Sequence, residues 1–144
     1  MIANCIFCKI LAGESEASLV YRDKTCAAFM DTQPINPGHL LVIPVRHSAY
    51  LSELKEEEGA KIFRVAQRLA SALRRSGVCC EGVNLFLADG EAAMQEVFHV
   101  HLHVVPRYAN DGFGFKFPAG YYNKPERKEL IEVAKRIRYG LERE

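Results

Sequence analysis

The chain carries no excess of either charge: 19 basic against 18 acidic residues among 144 leave a formal net charge of +1. That balance excludes the broad cationic surface by which proteins hold nucleic acid or an anionic membrane. It still allows a cationic site of a few residues. Long hydrophobic runs are also missing, since no apolar stretch approaches the roughly 20 residues of a membrane-spanning helix. The opening Met-Ile-Ala-Asn-Cys lacks a basic stretch followed by an apolar core, so no secretory signal is expected and the chain is expected to be cytoplasmic. Cysteine is scarce and odd in number, at five, which argues against a disulfide framework and for reduced thiols or a metal site. Internal repeats, low-complexity tracts and linkers are absent. Histidine numbers only five as well, yet "FHVHLHVVPR", residues 98–107, places three of them at every second position.

What is present fits one soluble globular domain spanning 1–144. Hydrophobic residues make up 49% of the chain, enough for a real core, and charged residues 26%, an ordinary value for a folded domain. Short β-prone stretches come first, at Leu19 to Arg22, Cys26 to Asp31 and His39 to Pro44. Between the last two, "DTQPINPGH" carries Pro34, Asn36, Pro37 and Gly38, which forbid a regular helix and predict a shaped loop. From Ser52 to Ser76 the pattern turns helical, with Ile62, Val65, Ala66, Leu69 and Leu73 recurring at intervals of three and four. Ser52 suits the cap, Glu56 to Glu58 the positive first turn, and Gly77 the stop. Two more strands are expected, "GVNLFLAD" and the histidine segment. A terminal helix follows from Pro125, with Leu130, Val133, Ala134, Ile137 and Leu141 along one side. The order predicts an α+β fold: a mostly antiparallel sheet with one long central helix and a C-terminal helix.

Successive strand residues face opposite ways, so His99, His101 and His103 share one face and stand about 7 Å apart along it. Phe98, Val100, Leu102 and Val104 take the other face, toward the core. Alternation of polar residues by chance is one account, but three of five histidines at this spacing weigh against it. A metal site is a second, because His-x-His on a strand presents two imidazoles to one ion. Covalent catalysis with one imidazole as nucleophile is a third.

The segment "HVHLHVV" resembles the His-x-His-x-His-x-x signature of the histidine triad family. The resemblance extends to "FMDTQPINPGHLLVIPVRH" with its Asp and Pro-Gly-His turn, to "ADGEAAMQEVFH" before the triad, and to "CIFCKI" with "VYRDKTCAAFMD" near the start. Several blocks in the right order are far more specific than one motif. The family resemblance implies a nucleotide-binding hydrolase that breaks the bond between the α-phosphorus of a purine nucleotide and its leaving group. His101 would attack phosphorus and form a nucleotidyl-histidine intermediate, which water resolves to the nucleoside monophosphate. His103, His39 and Gln95 would donate hydrogen bonds where charge develops. This scheme needs no catalytic metal.

The same resemblance implies a structural zinc on Cys5, Cys8, His47 and His99, the ligand set of some bacterial-type members. By itself Cys-x-x-Cys is weak, since buried thiols or a redox pair are equally compatible with it. Cys26, Cys79 and Cys80 show no partner pattern. Phe7, Ile10 and Phe29 would sandwich the base, and Asp31 would hold the ribose hydroxyls, although a loop N–H is an alternative partner for that carboxylate. Ile6 reads better as core. Three positions depart from the family pattern. Ala88 replaces an amide near the phosphate, Met94 stands where a small residue is usual and would crowd the loop, and Glu96 replaces a serine of one branch. They bear on the leaving group and the rate. Two other functions stay open: a nucleotide-binding regulatory module with little activity, and a hydrolase using the triad as metal ligands. A homodimer joined through the long helix and a sheet edge is the expected assembly.

Overall fold

A computed structural model describes residues 4–143. It divides into two compact units, Met1–Phe113 and Gly114–Glu144, and all the candidate site residues lie in the first. That unit is α+β. Helix α1 (Ile6–Ala12) leads into strands β1 (Leu19–Arg22), β2 (Cys26–Met30) and β3 (Leu40–Pro44), followed by the long helix α2 (Glu56–Leu73) and strands β4 (Gly82–Leu87) and β5 (Leu102–Arg107). The five strands form one antiparallel sheet in the order β1-β2-β3-β5-β4.

Both faces of the central strands are buried, and side-chain parity decides which helix each residue meets. Cys26, Ala28, Leu40, Val42, Leu102 and Val104 pack against Ile62, Val65, Ala66, Leu69 and Leu73 of α2. Ala27, Phe29, Leu41 and Ile43 pack against Phe7, Cys8, Ile10 and Leu11 of α1. The α2 residues are those whose spacing marks the helix in the sequence. The helix begins four residues later than Ser52, after a single 3-10 turn at Leu51–Glu53. Glu58 rather than Ser52 secures its start, by accepting the Lys55 N–H at 3.1 Å.

Helix α1 carries no sequence signal strong enough to announce it. Its buried residues, 7, 8, 10 and 11, turn Ile6 outward to 44% exposure, so Ile6 is not core as expected. The loop before β3 takes its shape from Gly38, whose φ of +97° is left-handed; a Cβ there would lie 2.9 Å from Val78 and 3.2 Å from Leu73. Asn36, buried, anchors the same loop by donating to Pro106 O at 2.9 Å and Asp111 Oδ2 at 2.8 Å. In the second unit, α3 (Arg127–Leu141) bears the expected apolar side, and Leu130, Val133, Ile137 and Leu141 are all exposed. No described helix is long and apolar enough to cross a membrane.

Candidate functional site

The α1 side of the sheet gathers the polar residues. Asp31 follows Phe29 by two at the end of β2, His39 precedes Leu41 by two, and Leu41 pairs with His103 of β5. Parity therefore sends Asp31, His39 and His103 to one face. The strand expected to begin near Phe98 instead begins at Leu102. His99 and His101 precede it, because Val100 N–H donates to Ser48 O at 2.8 Å and His99 N–H to Val97 O at 2.8 Å instead of entering a ladder. Even so, the rings gather: His101 lies 4.9 Å from His103, and Phe7 stands edge-on to both His99 and His101, at 5.8 and 5.3 Å. Phe98, expected in the core, packs on Tyr50 instead, at 5.7 Å.

Hydrogen bonds assign the ring protons. His101 Nδ1 is 2.8 Å from the carbonyl of His99, which can only accept, so Nδ1 carries the proton and Nε2 keeps a free lone pair. The Ile35 N–H donates to His39 Nδ1 at 3.2 Å, so His39 holds its proton on Nε2 and donates it to His103 Nδ1 at 2.9 Å. His103 must then carry its own proton on Nε2. Its ring stacks on Phe86 at 4.2 Å, which fixes the direction of that donor. One lone pair and one N–H thus stand side by side on neighbouring rings.

Burial dominates the electrostatics and favours neutral rings. It pushes His103 down to about 3, helped by the nearby His101 and His39. His101 and His39 are also lowered by burial, against the pull of the His99 carbonyl on the first and of Asp31 on the second. Asp31 Oδ1 accepts the Gln33 N–H at 2.8 Å, and its other oxygen lies 3.5 Å from His39 Nδ1. A loop N–H is therefore one partner of this carboxylate, and the second oxygen faces the histidines.

Gln95, expected as a direct donor to phosphate, is 4% exposed and engaged at both ends of its amide. Nε2 donates to Ala49 O at 2.8 Å and Val97 O at 3.2 Å, while Oε1 accepts the Gly90 N–H at 2.7 Å. It ties the 88–97 loop to the segment after β3. Ala88 is buried. Met94 does not crowd the loop: at φ +66° its side chain is 83% exposed. A left-handed residue other than glycine costs roughly 1–2 kcal/mol, so the loop holds some strain there. Glu96 is exposed and pulls the His101 pKa upward against burial.

A second cluster lies at the start of α1. Ligand atoms of Cys5, Cys8, His47 and His99 all fall within 4.8 Å of one another. Cys5 Sγ is 3.4 Å from His99 Nδ1, and Cys8 Sγ is 3.4 Å from His47 Nδ1 and 3.8 Å from His99 Nδ1. A tetrahedral zinc with ordinary Zn–S and Zn–N bonds sets its ligand atoms about 3.3–3.8 Å apart, so the donor set fits that ion. His99 Nε2–H donates to Pro44 O at 2.9 Å, which leaves Nδ1 free to ligate. Burial pushes His99 down to about 4, keeping it a neutral donor.

The fold and the two clusters define an α+β domain that gathers His39, His101 and His103 with Asp31 on one side of its sheet and sets a Cys2His2 donor set beside them. The HIT domain matches residues 12–110, and the chain belongs to the HIT family. "Protein hit" of Bacillus subtilis is 40% identical over 139 residues, covering 93% of this chain and 94% of that one. The crystal structure of a Zn-bound histidine triad family protein from Mycobacterium smegmatis is 40% identical, with a TM-score of 0.75 over 88% of this chain and 86% of that one. A histidine triad nucleotide-binding protein from Candida albicans gives a TM-score of 0.83 at 29% identity, over 96% and 97%. An adenylylsulfatase of Arabidopsis thaliana is 34% identical over 108 residues, which are 75% of this chain and 54% of that protein.

Proposed function

We propose that this protein hydrolyses purine nucleotides at the α-phosphate through a nucleotidyl-histidine intermediate on His101. The observation that carries the reading is the 2.8 Å bond from His101 Nδ1–H to the His99 carbonyl. It leaves the Nε2 lone pair free on a ring that burial keeps neutral. Attack by Nε2 on the α-phosphorus forms the N–P bond as the leaving group departs with the electrons of its own bond. His103 Nε2–H, backed by His39, donates to an oxygen on which charge develops. Water then cleaves the N–P bond and releases the monophosphate. The Arabidopsis adenylylsulfatase and the Candida nucleotide-binding protein support this class of substrate. Phe7, Ile10 and Phe29 form the apolar wall for the base, and Asp31 Oδ2 accepts from the ribose. Gln95 contributes by holding the loop rather than by touching phosphate. Cys5, Cys8, His47 and His99 hold a structural zinc, and the hydrolysis itself uses no metal. The site belongs to a cytoplasmic homodimer that binds neither nucleic acid nor membrane.

Glu96 places a carboxylate where an anionic substrate must approach. Replacement by glutamine removes the repulsion and keeps the size. Steady-state kinetics are expected to show a several-fold lower KM for Glu96→Gln with little change in kcat. An unchanged KM would mean that the carboxylate points away from bound substrate. For the dimer, β4 is an edge strand, an open pairing surface that association would cover. Sedimentation at micromolar concentration is expected to give twice the chain mass, and a monomer there would remove the assignment.

A further inference from the structure

We propose that the Cys2His2 centre positions the nucleophile: by holding residues 47 and 99 on one metal ion, it sets the peptide plane that aims His101. The inference rests on the role given to His101 above, but its evidence is separate. The peptide unit joining His99 and Val100 carries both groups that matter. Its carbonyl accepts His101 Nδ1–H at 2.8 Å, and its N–H donates to Ser48 O at 2.8 Å. No strand ladder fixes this peptide, because β5 begins at Leu102. What holds it comes from the metal ligands or their neighbours.

Each of the three ligand-bearing segments reaches His101 in its own way. His99 supplies the carbonyl itself, and its ring is bound at both ends, Nδ1 among the thiols and Nε2–H on Pro44 O. Ser48, whose carbonyl holds the other side of the peptide, directly follows the ligand His47. Phe7 lies between the ligands Cys5 and Cys8, and its ring meets His101 edge-on at 5.3 Å. A metal drawing these segments together therefore fixes the acceptor for Nδ1–H and one wall beside the ring. Without it, the peptide can rotate, the acceptor is lost, and the proton is free to move to Nε2, where it blocks the attacking lone pair. His99 is on this view a positioning residue rather than a catalytic one.

The test reads the His101 ring directly, by nitrogen-15 NMR of the zinc-loaded full chain labelled uniformly with nitrogen-15. His101 is expected to show one tautomer with a slowly exchanging Nδ1–H. Replacing zinc by cadmium, a larger ion with the same ligand preference, should shift the His99 and His101 resonances together and leave those of Val42, Val65 and Leu69, in the core under α2, unmoved. In His99→Ala, exchange of the His101 Nδ1–H should speed by about fivefold, the factor one ordinary hydrogen bond supplies. His99→Cys, which offers a ligand again, should restore slow exchange together with bound zinc. The proposal is overturned if cadmium moves His99 and leaves His101 unchanged, or if folded His99→Ala keeps a single slowly exchanging tautomer. Where His99→Ala does not fold, the cadmium exchange in the unaltered chain decides alone. None of these readings needs turnover, so a failure of the hydrolase assignment would appear as missing label on His101 with the ring behaviour intact.

Discussion

His101→Ala is expected to abolish hydrolysis, by at least about 10³-fold in kcat, while nucleotide affinity changes little. On the proposed mechanism the attacking lone pair disappears, whereas the proposed contacts of Phe7, Ile10 and Phe29 to the base, the Asp31 carboxylate and the His103 donor all remain. Rapid quenching of the unaltered protein with an α-phosphate-labelled substrate, under conditions that spare the acid-labile N–P bond, is expected to show label on histidine. The two other functions give different results. A binding module with little activity would bind nucleotide without label. A hydrolase that uses the triad as metal ligands would turn over without label and stop on chelation. Turnover by His101→Ala at the unaltered rate would end the nucleophile assignment.

Cys5→Ser combined with Cys8→Ser is expected to remove the metal and a large part of the stability. Purified without added zinc, the unaltered chain should contain about one zinc, and the double variant close to none. Metal bound only by the folded state stabilises it by about 4 kcal/mol when free zinc is a thousand times the dissociation constant. The loss should concentrate where the ligands meet. Cys5 and Cys8 sit in the cluster formed by α1 and one face of the sheet, while α2 packs the opposite face. Thermal unfolding at fixed free zinc checks the stability and metal analysis checks the content. Full zinc content in the double variant would place the metal elsewhere.

Much of this was legible before any coordinates. The three-and-four spacing of Ile62, Val65, Ala66, Leu69 and Leu73 names the buried side of α2, because a helix can hide only such a set. The turn residues around Pro34 to Gly38 mark the loop that precedes β3. The family resemblance also pairs Cys5 and Cys8 with the distant His47 and His99, and their ligand atoms do converge. Local chemistry and period are written in single residues, so a sequence exposes them.

Other features depend on what meets what across the chain, and only the tertiary structure decided them. Helix α1 is seven residues long, too short for a periodic pattern to stand out, and it exists because one face of the sheet needs covering. The spacing of the histidines implied a continuous strand, but His99 is drawn to the thiols and to Pro44 and its neighbour to Ser48, so the ladder starts only at Leu102. Its place in the motif makes Gln95 an expected donor to phosphate, yet its amide closes on three backbone groups that the loop brings around it. Which ring nitrogen of each histidine holds the proton is likewise set by how the folded chain turns its neighbours: the His99 carbonyl onto His101, the Ile35 N–H onto His39 and, across the sheet, His39 onto His103. A sequence specifies three imidazoles at a spacing; the fold supplies the acceptors and donors that leave Nε2 of His101 without a proton, put one on Nε2 of His103 and turn Nδ1 of His99 to the thiols.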